Sequence, residues 1–316
     1  MLIPDFNTKA RRHEGEENIK EALFYKQLEG DKVQCTLCPW NCHIAPDKVG
    51  FCGVRKNIGG KLYSLIYGHP SSVAVDPIEK KPLFHFHPGT KVFSMGTWGC
   101  NMRCGHCQNW QISRATADLA NSDYVSPEQA IGMAKEYDCQ GIAWTYNEPT
   151  IWFEYTLDCA KLAKQAGLYT VYVTNGYISF EALDTIAPFL DAYRVDVKGF
   201  TEELYLKLTK VRDFKPVLAA AERALKKWKM HVEVVTNIIP TLNDDDVQLS
   251  GIAKWIAEKL GQDIPWHVTR FFPHLEYKHL PPTDIEVMEH AKQIGHAAGL
   301  KYVYVGNVPG HPASHA

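Results

Sequence analysis

Short apolar runs alternate with longer stretches of helical periodicity from residue 91 onward. The runs 91–96, 141–146, 169–174, 191–197, 231–239 and 265–271 are nearly continuous in Val, Ile, Tyr, Phe and Trp, the pattern of strands covered on both faces. A last short run, 302–305, follows. Between them the periodicity predicts helices over 126–138, 150–165, 179–187, 202–210, 215–229, 244–260 and 283–298. Ser126, Pro127 and Gln129 supply an N-cap, an N1 proline and a capping box, and Gly167 closes the second helix. Six strand–helix units in succession imply a parallel sheet with right-handed crossovers. The stretch from Lys91 to Ala316 falls short of the roughly 250 residues usual for an eightfold barrel. The expected fold class is therefore α/β, with six strand–helix units over 91–316. A small Cys-rich segment with its lead-in precedes them over 1–90. There 10–27 reads as a helix, 33–55 lacks regular periodicity, 61–67 alternates like a strand and 76–89 is rich in turn residues.

Composition narrows the function classes. Of 316 residues, 45% are hydrophobic and 22% charged, with a formal net charge of −2, ordinary values for a globular protein. No basic field favours nucleic acid or an anionic membrane. No apolar run approaches the ~20 residues of a membrane span. Met1–Phe6 lacks the basic-then-apolar order of a signal peptide, so the expected compartment is the cytoplasm. Nine cysteines there read as metal ligands or free thiols rather than disulfides.

Two groups of cysteines carry most of the chemistry. Cys100, Cys104 and Cys107 form a C-x3-C-x2-C run directly after the first barrel strand. Iron–sulfur clusters are normally held by four thiolates; three leave one iron of a [4Fe–4S] cube open to substrate. The competing reading is a zinc knuckle completed by His106, since zinc wants four closed ligands. Upstream, Cys35-x2-Cys38-x3-Cys42-x9-Cys52 offers a separate set of four, with Pro39, Gly50 and Gly53 for tight turns. Zinc and an auxiliary cluster both suit it. His43 reads as a bystander, and Cys139 and Cys159 as buried thiols.

Ligands of parallel α/β sheets bind beyond the carboxyl ends of the strands, and polar residues interrupt the apolar pattern there. After the second strand stands Tyr146-Asn147-Glu148-Pro149, after the third Thr174-Asn175-Gly176. The fourth ends in Asp196-Val197-Lys198, and the fifth runs into Pro240-Thr241-Leu242-Asn243. His85 and His87 would share one side of an extended segment. They would either reach the site's mouth or satisfy backbone groups in a packed loop. Arg270 and His274 have the same two readings, substrate contact or structural loop.

The Cys100–Cys107 spacing with His106 before the third cysteine resembles the radical S-adenosylmethionine (SAM) superfamily. The Cys35–Cys52 group, Glu79-Lys80-Lys81-Pro82-Leu83-Phe84-His85-Phe86, the stretch from Gly99 to Trp110 and Thr145-Tyr146-Asn147-Glu148-Pro149-Thr150 resemble the radical SAM member of the AmmeMemoRadiSam system. That family is related to the pyruvate formate-lyase activating enzymes. Its members often continue into a Cys-Pro-x-x-Cys segment, which this chain does not reach. The resemblance implies a [4Fe–4S] cluster on Cys100, Cys104 and Cys107, bound SAM, and a partial (β/α)6 TIM-like radical SAM barrel over 91–316, which the count of six units suits. Glu148 stands where the superfamily's Gly-Gly-Glu motif meets the SAM amino group, for which a carboxylate is a charge-assisted acceptor; Asn147 departs from that pattern. Thr174 and Asn175 would frame ribose and carboxylate, with Val173 where a cation-binding Asp often stands. Lys198 would pair with the SAM carboxylate and be catalytic, Asp196 would belong to the cofactor-binding set, and Pro240 and Asn243 would approach the adenine. The implied reaction splits SAM into methionine and a 5′-deoxyadenosyl radical that abstracts hydrogen from a small molecule or a protein. The implied partners are a flavodoxin- or ferredoxin-like electron donor and AMMECR-type and Memo-like companions. Glycyl-radical installation, aminocarboxypropyl transfer and a non-enzymatic metal-binding scaffold are the alternatives.

Overall fold

Leu23 donates its backbone N–H to Glu154 Oε1 (2.8 Å) and Arg55 Nη2 donates to the Leu23 carbonyl (2.5 Å). Those bonds anchor the bend at Leu23 and Phe24. The computed structural model describes residues 19–115 and 123–314. The expected helix over 10–27 lies outside them up to residue 18. The rest of it is not helical but forms two short strands, β1 (Lys20–Glu21) and β2 (Tyr25–Gln27), with Phe24 at φ +55 between them. Tertiary contacts override the helix propensity of a Glu- and Lys-rich segment.

The Cys-rich region adds β3 (Val33–Cys35), β4 (His43–Ile44), β5 (Arg55–Ile58) and β6 (Lys61–Ser64). They form two small antiparallel sheets, ordered β1-β6-β5 and β2-β3-β4. A further strand, β7 (Ser72–Pro77), runs antiparallel to β8 (Lys91–Gly96), with Ser72 opposite Gly96. Sequence periodicity missed β7. Its alternation is brief, and Pro77 ends it at a position tolerable only at a strand end or sheet edge.

The described residues divide into two units. The first comprises 19–77, 89–101, 109–115 and 123–191. In it β8 pairs in parallel with β9 (Gly141–Trp144), and β9 with β10 (Tyr169–Thr174). Val92, Phe93, Ile142, Ala143, Trp144, Val171 and Tyr172 have no exposed surface, as a sheet covered on both faces requires. Gly141 has to be glycine, because a Cβ there would lie 2.0 Å from the Tyr169 ring. After the short helix α1 (Trp110–Ser113) come α2 (Pro127–Glu136), α3 (Phe153–Gln165) and α4 (Phe180–Ile186). Helix α2 starts with the expected capping box: Gln129 N donates to Ser126 Oγ (3.2 Å), and Ser126 N to Gln129 Oε1 (2.8 Å).

The second unit comprises 78–88, 102–108 and 192–314. Its strands β11 (Ala192–Asp196), β12 (His231–Ile238), β13 (Trp266–Arg270) and β14 (Val303–Gly306) are parallel in sequential order. Helices α5 (Glu202–Thr209) and α6 (Lys215–Lys226) follow β11, α7 (Asp246–Trp255) follows β12 and α8 (Ile285–Ala297) follows β13. The parallel-dominated α/β architecture matches the expected fold class at that level. No helix among the described residues is long and apolar enough to cross a membrane.

The segment 78–88 is packed at the amino end of β12, in keeping with the second of the two readings of His85. Glu233, without exposed surface, accepts from the backbone N–H of Phe84 (3.1 Å) and His85 (2.9 Å). His231 Nε2 lies 2.8 Å and His267 Nε2 2.6 Å from the same carboxylate. His85 Nε2 is 2.6 Å from Tyr304 Oη. His87 adopts φ +46, so the two imidazoles do not share one extended face as the sequence suggested. Burial opposes ionisation of Glu233, but the two histidines and the amides overcome it and hold the carboxyl at about 2. Burial also lowers His267 below 6.5. Both folded-state values lie below the unfolded ones, so the unfolded chain takes up protons first as pH falls. Stability is expected to decline below about pH 6.5 through His267, and again between about 4.5 and 2 through Glu233. Urea midpoints measured from pH 7 to 3 should fall in that order. In Glu233→Gln they should start lower and flatten below pH 4.5; identical pH curves would refute the assignment.

Candidate active site

In the first unit the loop after β9 holds the loop after β8. Asn147 Oδ1 accepts from Thr97 N (3.1 Å), and its Nδ2 donates to the Gly99 carbonyl (2.8 Å). The residue that departs from the superfamily pattern thus grips the backbone entering Cys100. Asn109 Nδ2 donates to the Tyr146 carbonyl (2.6 Å) on the far side of the cysteine run.

Glu148 is 1% exposed. Its Oε1 accepts from Thr150 N (2.9 Å) and Thr174 Oγ1 (2.7 Å), and its Oε2 from Asn175 N (2.7 Å). Burial raises its pKa, and these donors resist the shift. The carboxylate therefore ties the end of β9 to the end of β10, with one of its oxygens still able to accept another donor. Asn175 in turn donates through Nδ2 to Asn101 Oδ1 (2.8 Å) and approaches Cys100 Sγ (3.8 Å), while its Oδ1 accepts from Tyr177 N (2.9 Å). Asn101, Asn175, Glu148 and Thr174 make one buried polar network around Cys100. Asn101 escaped the sequence reading, because a lone Asn between cysteines has no periodic signal.

In the second unit Cys104 and Cys107 are half-buried. The backbone around Cys104 is pinned by Arg103 N to the Thr209 carbonyl (2.9 Å), Gly105 N to the Leu208 carbonyl (3.1 Å) and Glu276 N to the Gly105 carbonyl (3.0 Å). At the end of β11, Arg194, Asp196 and Lys198 lie on one face of the strand. Asp196 Oδ1 is 2.6 Å from Arg194 Nη1, and its Oδ2 3.1 Å from Lys198 Nζ. Burial pushes Asp196 up, but the two cations more than offset it and hold the carboxyl below its ordinary range. Burial likewise opposes the charge on Lys198, while Asp196 and then Cys104 raise its pKa and keep it an ammonium. His106 is buried, and its Nδ1 has no hydrogen-bond partner. Burial and then the Lys198 charge lower its pKa to about 3, so it is neutral.

Asn243 spends both amide hydrogens within its own unit, on the carbonyls of Lys198 (3.0 Å) and Asn237 (2.8 Å), and accepts from Ile239 N (2.6 Å). It shapes the turn after β12 that carries half-buried Pro240. Arg270 donates through Nε to the Thr283 carbonyl (2.7 Å), a structural contact.

The four upstream thiols Cys35, Cys38, Cys42 and Cys52 line one cavity with Leu37, Trp40, Ile44, Phe51 and Arg55. Trp40 Nε1 donates to the Asn101 carbonyl (2.7 Å), and the Cys52 carbonyl abuts Gly99. A Cβ at Gly99 would lie 2.6 Å from that oxygen, and Gly99 adopts φ +81. Gly99→Ala is expected to cost about 1–3 kcal/mol from overpacking, beyond its φ strain, and to lower iron incorporation. Gly30→Ala, also at positive φ (+67) but with nothing within 4 Å, is the control. Equal thermal shifts and equal iron contents for the two variants would contradict that expectation.

Among the described residues, no group of three His, Cys, Asp or Glu side chains stands as a ready ligand set for a metal ion. The chemistry of the Cys100–Cys107 run still suits an iron–sulfur cluster. It offers three thiols without a fourth, an amide N–H near the first sulfur, and a fixed cation electrostatically coupled to the second.

Residues 96–250 match the radical SAM superfamily. An uncharacterised protein of Methanocaldococcus jannaschii is 43% identical over 93% of this chain and 86% of its own length. A pyruvate formate-lyase-activating enzyme of Clostridium pasteurianum is 26% identical over 62% of this chain and 84% of its own. A radical SAM methyltransferase from Sphaerobacter thermophilus superposes with a TM-score of 0.55 at 16% identity, over 70% of this chain and 67% of that one, a likeness of fold.

Proposed function

Since this chain belongs to the radical SAM superfamily and is homologous to pyruvate formate-lyase activating enzymes, we propose that it cleaves SAM reductively at a cluster held by Cys100, Cys104 and Cys107. The observation that carries this is the C-x3-C-x2-C run at the carboxyl end of β8, within the matched region. A [4Fe–4S] cluster with three protein thiolates, when bound, supplies the electron that divides SAM into methionine and a 5′-deoxyadenosyl radical. The partial (β/α)6 barrel of the superfamily is extended here to residues 91–316.

The protein's own residues bind, orient and insulate. Lys198, held as a cation by Asp196, pairs with the SAM carboxylate. Asn175 and Thr174 frame the carboxylate and ribose. Glu148 fixes those two residues through Thr174 Oγ1 and Asn175 N, and has lone-pair capacity left for the SAM amino group. Asn147 holds the backbone that presents Cys100. Neutral His106 lies beside the third thiolate without adding charge. Pro240 and the turn that Asn243 shapes face the adenine. Cys35, Cys38, Cys42 and Cys52 form a second metal-binding group.

Homology to activating enzymes favours a protein substrate that receives a glycyl radical. A flavodoxin- or ferredoxin-like protein would supply the electron, and AMMECR-type and Memo-like proteins would be companions. Reconstitution with iron and sulfide under anaerobic conditions, followed by dithionite and SAM, tests the reading. Formation of 5′-deoxyadenosine and methionine is expected. Methylthioadenosine would replace this proposal with aminocarboxypropyl transfer, and no SAM consumption would remove it.

A further inference from the structure

We propose that Cys35, Cys38, Cys42 and Cys52 hold a single tetrahedrally coordinated metal ion of the zinc type, and not an auxiliary iron–sulfur cluster. This inference does not rest on the radical SAM reading. The four sulfur-bearing residues come from β3, the turn after it, the approach to β4 and the turn before β5, and all four line the same cavity. That cavity measures about 10 Å³, close to the space of one water-sized body. A [4Fe–4S] core has eight atoms, and its walls would have to move apart to admit one. Leu37, Ile44 and Ile151, all buried, are among the lining side chains that such an expansion would displace.

Arg55 gives a second, independent observation. It lines the cavity, is 1% exposed, and its Nε has no hydrogen-bond partner. A buried guanidinium donor left unpaired is costly. Its other nitrogens are committed: Nη1 to Glu154 Oε1 (3.0 Å) and Oε2 (3.1 Å), Nη2 to the Leu23 carbonyl. Four neutral thiols offer Nε a poor acceptor. A divalent ion displaces four thiol protons to solvent and leaves a tetrathiolate complex of net charge −2, whose sulfurs are strong acceptors for that N–H. The thiols have not closed into a ligand set, and drawing them together around one ion needs only a local contraction of the same small space.

The test counts metals on the full chain. Zinc and iron are measured in the wild type, in the triple variant Cys100→Ala/Cys104→Ala/Cys107→Ala and in Cys38→Ser/Cys52→Ser. About one zinc per chain is expected in the first two and none in the third. Chelator-treated triple variant titrated with cobalt(II) should develop the visible bands of a tetrahedral thiolate site, saturating near one equivalent, which keeps the test valid if the double serine variant fails to fold. About four irons retained by the triple variant would establish an auxiliary cluster and overturn the proposal, as would a triple variant that binds neither zinc nor cobalt. Loss of SAM cleavage with zinc retained would bear on the radical reading alone.

Discussion

Cys104→Ala is expected to reduce 5′-deoxyadenosine formation to background while leaving the protein folded. The thiol would be one of only three ligands of a cluster whose fourth iron is reserved for SAM, so no spare thiolate in the run can replace it. The fold does not depend on it: the N–H groups of Arg103 and Gly105, and the Gly105 carbonyl, hold this loop through backbone bonds to Thr209, Leu208 and Glu276. Its removal also takes a coulombic partner from Lys198, but Asp196, at 3.1 Å, keeps that lysine a cation. Iron content after reconstitution should drop while the unfolding temperature stays close to wild type. Turnover retained with iron retained would show that Cys104 is not a ligand. Asn147→Ala should act more mildly, because it removes a support for the backbone around Cys100 and no ligand; losses of roughly 10–100-fold are typical of such supporting partners.

Glu154→Leu is expected to be the most destabilising single change in the first unit. Arg55 and Glu154 are 1% and 3% exposed and lie 3.0 Å apart. Removing one partner of such a pair leaves an uncompensated buried charge, typically at a cost of about 3–5 kcal/mol. Glu154 also caps Leu23 N, so the N-terminal strands lose an anchor. A fall in unfolding temperature of about 5–8 °C follows from usual unfolding entropies for a chain of 316 residues. Replacing both residues, as Arg55→Met/Glu154→Leu, should recover much of the loss, because the buried charge goes with its partner. If the double variant is no better than Glu154→Leu, then Arg55 is needed for something other than the pair, and its place in the lining of the four-cysteine cavity is the obvious candidate. Measuring both variants with and without bound zinc separates the two effects.

The strand–helix alternation was legible from residue 91 onward because most of these strands are buried on both faces. That leaves long apolar runs with no polar face to confuse the period. The capping box at Ser126 was equally local and equally plain. The cysteine spacings were visible for the same reason: a chelating loop is written within a few residues of chain. What the sequence did not disclose were features whose partners lie far along it. Residues 19–27, the described part of an expected helix, form strands held by bonds to Glu154 and Arg55. Strand β7 is too short to announce itself, and Asn101 and Arg55 gained meaning only from what surrounds them. Thus the chain's own pattern determined the α/β class, the order of its elements and the presence of two thiol groups. Tertiary structure alone decided that Glu148 spans two strand ends, that Asn147 grips the cysteine loop, and that four thiols share one small cavity with a buried guanidinium. Local patterns follow from backbone period and capping, whereas hydrogen-bond partners a hundred residues apart exist only once the chain has folded.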